Sequence, residues 1–122
     1  MKSRKLGKEK LVRKSYEYKL VFDSGERKKF AYFSVVLLAK KEGPTRLGLV
    51  VSRKVGGAFL RNKYKRFIRE YFRNHYGFFS SEKHYDYVFI LKKEFKIDDI
   101  VKNELFKLIS YVQGDHSFDK IL

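Results

Sequence analysis

The apolar positions of this chain follow two periods, and the change from one to the other marks its elements. From Ser15 to Ser24 the spacing is helical, with Tyr18, Val21 and Phe22 on one face and Gly25 as the stop. Arg27 to Phe30 can form a short strand or turn. Ala31 to Lys40 is rich in β-formers and alternates, with Phe33, Val35 and Leu37 on one face. Glu42-Gly43-Pro44-Thr45 reads as a turn into a second apolar run, Arg46 to Ser52, so these two runs suggest an antiparallel hairpin.

Beyond Gly56-Gly57 the period becomes helical again. At roughly 100° per residue, Leu60, Tyr64, Phe67, Ile68 and Tyr71 share one face, and Arg61, Asn62, Lys65, Arg66, Arg69 and Arg73 share the adjoining one. Asn74 to Lys83 reads as a connection, and Tyr85 to Leu91 as a strand from its aromatic and β-branched content. A last helix begins at Asp98 or Asp99 as N-cap, buries Val101, Leu105, Leu108, Ile109 and Val112, and stops at Gly114. The expected class is α+β, in the order α-β-β-β-α-β-α, with a strand-helix-strand unit whose two strands are parallel. We read residues 1–14 as a basic arm able to contact phosphates without fixed structure, 15–114 as one domain and 115–122 as a tail.

Charge changes this picture from a fold to a binding protein. The 122 residues carry a formal net charge of +15, of which residues 1–14 hold +6 and residues 53–73 hold +7. Between Arg53 and Arg73 eight Lys or Arg face a single acid, Glu70, so neighbouring salt bridges cannot neutralise the stretch. Charge this localised favours a polyanion, RNA or DNA, over a membrane surface. A DNA reader of the helix-turn-helix kind needs a partner helix just before the recognition helix, and here a strand precedes it. A membrane-surface helix needs its apolar face free, but this one is required for the core.

Candidate chemistry is sparse. There is no Cys, which removes disulfides, thiolate zinc sites and cysteine nucleophiles. His75, His84 and His116 stand at no ligand spacing, and Asp98-Asp99 is explained by helix capping, so neither a catalytic centre nor a metal site is expected. The longest apolar runs are too short to span a bilayer. The basic N-terminus lacks a following apolar segment, so no secretory signal is expected and the cytoplasm is the expected compartment.

One stretch resembles a known family. Lys54-Val55-Gly56-Gly57-Ala58, followed by Arg61-Asn62-Lys63, Lys65-Arg66 and Arg69, is similar to the signature of the protein subunit of bacterial ribonuclease P, with Gly57 where Asn is usual and Lys63 where Arg is usual. Lys63 keeps the charge without the planar fork of Arg. Tyr18, Val21, Phe22 and Gly25 match the family's first-helix pattern, and Phe33 matches a family aromatic. Val36 stands where some members carry Tyr, which leaves Tyr32 as the alternative ring.

The resemblance implies a left-handed crossover in the strand-helix-strand unit, where the general rule for such units would give a right-handed one. It implies that Lys54, Arg61, Asn62, Lys63, Lys65, Arg66 and Arg69 contact ribonuclease P RNA, with Arg53 and Arg73 ending the same basic stretch. Tyr18, Phe22 and Phe33 would line a cleft for the single-stranded 5′ leader of precursor tRNA. The RNA would carry the active site and bind the catalytic Mg²⁺, the protein assisting endonucleolytic maturation of tRNA. The alternative on the residues alone is a structural RNA-binding protein such as a ribosome component.

Overall fold

The computed structural model describes residues 6–80 and 84–113. Its elements are α1 (Ser15–Ser24), β1 (Glu26–Lys29), β2 (Ser34–Lys40), β3 (Arg46–Val51), α2 (Ala58–Asn74), α3 (Tyr76–Phe79), β4 (His84–Leu91) and α4 (Asp99–Val112). The expected order is present with α3 added inside the expected connection, a single helical turn that buries Phe79 completely. The expected stop at Gly114 lies outside the described residues, as do residues 1–5, 81–83 and the tail.

The four strands form one mixed sheet in the order β1-β2-β4-β3. β4 pairs antiparallel with β2 and parallel with β3, so the strand-helix-strand unit has parallel strands as expected. The hairpin does not form. β2 and β3 run in opposite directions but are separated by β4, which takes the central place.

The reason lies in the sequence of β4. Asp86 to Leu91 are all buried, because Tyr87-Val88-Phe89-Ile90-Leu91 presents apolar side chains to both faces of the sheet. Such a run requires cover above and below, and pairing along both edges. Two interstrand spacings of about 4.8 Å are within reach of the five residues between β2 and β3. The turn therefore permits the insertion.

Each face of the sheet has its own core. On one side Phe33, Val35, Leu37, Leu47, Tyr87, Phe89 and Leu91 pack with Tyr64, Ile68 and Phe72 of α2 and with Val101, Leu105, Leu108 and Ile109 of α4. Asp98 caps α4, its carboxylate accepting the N–H groups of Ile100 at 3.1 Å and Val101 at 3.4 Å. On the other side Val36, Val88 and Ile90 pack with Val21 of α1, and Tyr18 and Leu38 lie partly buried against them. Gly25 ends α1 where an added Cβ would lie 2.5 Å from the Val21 carbonyl and 2.7 Å from Val36, so the close approach of helix to sheet demands glycine there.

The described part of the basic arm is docked. Val12 is buried, its N–H donates to the Leu47 carbonyl at 2.8 Å, and Leu11 bridges to Leu47 in parallel, so residues 6–14 run along the outer edge of β3. Phe89 lies at the middle of β4 in the larger core. Truncation by Phe89→Ala should therefore cost about 3–5 kcal/mol in urea unfolding, whereas Phe106→Ser, at a position 63% exposed, should stay within about 0.5 kcal/mol. Equal effects would contradict the assignment of β4 as the buried centre.

Candidate nucleic-acid interface

The entry to α2 is built to leave a helix N-terminus open. Ser52 accepts the Lys54 N–H at 3.1 Å and starts a 3-10 turn, Arg53–Val55, that buries Val55. Gly56 follows at φ +152°, a region that L side chains avoid, and a Cβ there would meet Leu60 at 2.9 Å. Gly57 is the N-cap and supplies no side-chain acceptor, and no acid lies in the first turn. The first amides of the helix are therefore unpaired by any cap. An anion can reach them.

The cations divide by surroundings. Arg53, Lys54, Lys63, Arg66 and Arg69 are exposed together with Asn62, whereas Arg61, Lys65 and Arg73 are half-buried. Arg61 donates to the Gly56 carbonyl at 3.2 Å, and Arg73 is engaged by Glu70 at 3.1 Å. Among the described residues no carboxylate pairs with Lys54, Lys63, Lys65, Arg66 or Arg69. Arg66, Arg69, Glu70 and Arg73 line a hollow of about 380 Å³ with Leu6 and Leu11, so the docked arm borders the cation strip through apolar side chains. Lys63 stands apart on the other flank of the helix, where it lines a hollow with Leu60, Tyr64, Phe95 and Lys96. That hollow is shaped by Tyr64, whose hydroxyl donates to the Phe95 carbonyl and accepts the Phe95 N–H at 2.8 Å.

The three aromatics expected to share a cleft do not share a face. Tyr18 and Phe22 are adjacent on α1, their ring centroids 6.4 Å apart, and with Ser15, Lys19, Asp23 and Val50 they line a groove of about 420 Å³. The Tyr18 ring lies on Gly48, and its hydroxyl accepts the Leu49 N–H at 3.2 Å. Phe22 and Val50 are 40% and 38% exposed, so the groove walls are apolar and accessible. Phe33 points to the opposite side of the sheet, 3% exposed and packed between Phe30 and Phe89. Tyr32 is also remote from α1, its ring against Phe95 and its N–H held with that of Ala31 by the Glu104 carboxylate.

Strand alternation explains the misplacement. Phe33, Val35 and Leu37 do share a face, but β2 turns Val36, the next residue over, toward α1. Val50 was missed although it alternates with Leu49 and Val51, a signal legible once the period is followed through β3. Among the described residues no three His, Asp or Glu side chains gather into a metal site. No helix among them is long and apolar enough to cross a membrane.

Comparison with known proteins decides the family. The family model described as ribonuclease P matches residues 6–112. The chain belongs to the ribonuclease P protein family. It is 34% identical over 120 residues to the ribonuclease P protein component of Petrotoga mobilis, covering 93% of this chain and all of that relative. To the same component of Desulfotalea psychrophila it is 37% identical, covering 80% of this chain and 79% of the relative. The solved ribonuclease P protein of Thermotoga maritima superposes with a TM-score of 0.72 at 33% identity, covering 83% of this chain and 96% of that one. Proteins of this family are subunits of an endoribonuclease that processes tRNA, and they bind RNA.

One further cluster of charge is structural, within this family member's α1 face. Arg46 donates to Asp86 through Nε at 2.9 Å and through its second terminal nitrogen at 2.8 Å, and to Glu17 through the remaining one at 2.7 Å. Lys40 also reaches Asp86 at 2.9 Å, and the Asp86 side chain is only 4% exposed. Glu17 accepts, in addition, the N–H groups of Arg13 at 3.2 Å and Lys14 at 3.1 Å, which closes the N-terminus of α1. The hydrogen bond from Arg46, followed by that from the Lys14 N–H, lowers the Glu17 carboxyl to about 2. The hydrogen bond to Asp86 leads the causes that raise the Arg46 guanidinium further above its ordinary range.

Two predictions come from these sites. Because folding depresses the Glu17 carboxyl, its contribution is complete above the unfolded value of 4.5 and is lost as pH falls through about 2. Urea midpoints of the native chain and Glu17→Gln should differ by a constant amount from pH 7 to 5 and converge below 4.5; a gap that widens on acidification would refute it. At the N-cap, an ideal Cβ on Gly57 meets nothing within 4 Å. Gly57→Asn should raise stability by a few tenths of a kcal/mol, while Gly56→Ala should lower the thermal midpoint.

Proposed function

We propose that this chain is the protein component of a ribonuclease P holoenzyme in which α2 lies on the catalytic RNA and the α1 groove holds the 5′ leader of precursor tRNA. The observation that carries the reading is the set of cations that no carboxylate pairs with among the described residues: Lys54 in the turn before α2, Lys65, Arg66 and Arg69 on α2, and Lys63 on its other flank. Like charges held together on a folded surface repel one another, and a polyanion relieves that repulsion while releasing its counterions. Arg53, Arg61, Asn62 and Arg73 flank or extend the same strip. The open amides at Gly57 and Ala58 add a site for one phosphate.

The groove is suited to unpaired bases rather than to a duplex. Tyr18 and Phe22 supply ring faces and Val50 an apolar wall, with Lys19 at the rim. Stacking of a base on an aromatic ring contributes roughly 1–3 kcal/mol and tolerates any sequence. Leader contacts exist in the precursor and not in the mature product, so they raise affinity for substrate over product. Phe33, closed into the opposite core, would support this arrangement through Phe89 and not by touching RNA.

The chemistry of phosphodiester hydrolysis belongs to the RNA subunit in this reading, with Mg²⁺ held mainly there. The protein's part is to neutralise backbone charge and to position substrate. The cytoplasm is the compartment where such a complex would meet its precursor tRNA, and neither DNA nor membrane is a partner.

Two measurements test it. If about six phosphates are neutralised, log K for the catalytic RNA should fall against log salt with a slope near −4 to −5, and Arg69→Ala should flatten it by about 0.7–0.9. A slope shallower than about −1 would sink the electrostatic account. At low Mg²⁺ the protein should restore cleavage of precursor tRNA by the cognate RNA. Binding without any effect on cleavage would instead point to a structural RNA-binding protein.

A further inference from the structure

We infer that Arg46 is a positioning residue for the leader groove, acting through Glu17 to fix the tilt of α1 over the sheet. The inference rests on the leader reading above and adds to it a residue that touches no RNA. Arg46, Gly48 and Val50 alternate along β3 and so face the same side of the sheet. In that order they provide the anchor for α1, the seat for the Tyr18 ring and the far wall of the groove. One strand thus sets all three distances.

α1 needs such an anchor because its apolar hold is slight. Val21 is its only fully buried side chain, seated on Val36, Val88 and Ile90. Tyr18, partly buried against the same cluster and on Gly48, is its other apolar contact, and both lie on one side of the helix, so its two ends need separate restraint. The C-terminal end is restrained by the tight approach of Gly25 to Val36, and the N-terminal end by the Glu17 to Arg46 contact at 2.7 Å. Arg46 in turn cannot swing, since Asp86 grips two of its nitrogens and is itself buried and shared with Lys40.

From Glu17 to Phe22 the helix rises about 7.5 Å. Release at Glu17 would therefore tilt Phe22 relative to Val50 and lift Tyr18 from Gly48. A buried ion network of this kind seldom adds net stability over an apolar replacement, and its best-attested use is to specify geometry. Here the geometry specified is the width of the groove.

The test uses the holoenzyme assembled on the cognate catalytic RNA and compares affinity for precursor tRNA with affinity for the same tRNA lacking a leader. Glu17→Gln keeps an acceptor for the Arg13 and Lys14 N–H groups and removes the charge facing Arg46. Arg46→Met removes the anchor, and Phe22→Ala serves as the direct-contact control. Both anchor variants should lower the leader preference about tenfold, the order of one lost base stack, with affinity for the catalytic RNA and for leaderless tRNA unchanged. The double variant should lose no more than the worse single one, because both act through one contact.

If Phe22→Ala loses the preference and the anchor variants keep it, Arg46 is merely structural and the inference falls while the leader reading stands. If Phe22→Ala also keeps it, the leader reading fails and takes this inference with it. Should Arg46→Met not fold, Glu17→Gln decides alone.

Discussion

Everything in this domain is arranged around a strand that cannot tolerate water on either face. β4 carries consecutive apolar side chains, so it must have a helix layer on each side and a neighbouring strand on each edge. The parallel pairing with β3 places α2 between the two strands in the chain, and the antiparallel pairing with β2 supplies Val36 as part of the floor beneath α1. Displacing β4 from the centre would separate the two cores and both candidate RNA surfaces with them.

The two sides of the sheet then take different work. One is occupied by α2 and α4 in the larger core, which leaves the outer flank of α2 to carry cations of which, among the described residues, only Arg73 is paired with an acid. The other is covered, among the described residues, by α1, and Val50 and Phe22 stay partly open beside it. Tight packing and open surface are thus divided between the faces. The Arg46 network links them, since its Asp86 belongs to the same strand that fills the larger core.

Much of this could be read in the chain before its structure, and the misses are instructive. Periodicity placed α1, α2, β4 and α4, since each has a clear face or an unbroken apolar run, although the α2 reading omitted Phe72, which is buried. A Gly-Pro turn between two strands reports that the chain reverses, but not that the strands pair, and β4 entered the gap. Alternation grouped Phe33 with Val35 and Leu37 correctly, yet it does not reveal which side of the sheet receives α1. The contact between Arg46 and Asp86 joins residues forty apart. No local pattern announces such a pair, because each residue alone reads as ordinary surface charge.

The docking of residues 6–14 beside β3 gives the basic arm a second meaning. With Leu11 and Val12 against Leu47, and Lys10 over the Tyr76 ring at 4.3 Å, this stretch has lost its conformational freedom when the domain folds, before any RNA arrives. A tail that orders only on binding loses that entropy from its affinity. Lys8, Lys10 and Arg13 are therefore presented from a segment already fixed on the domain, and Leu11 and Val12 cover the edge of β3 at Leu47.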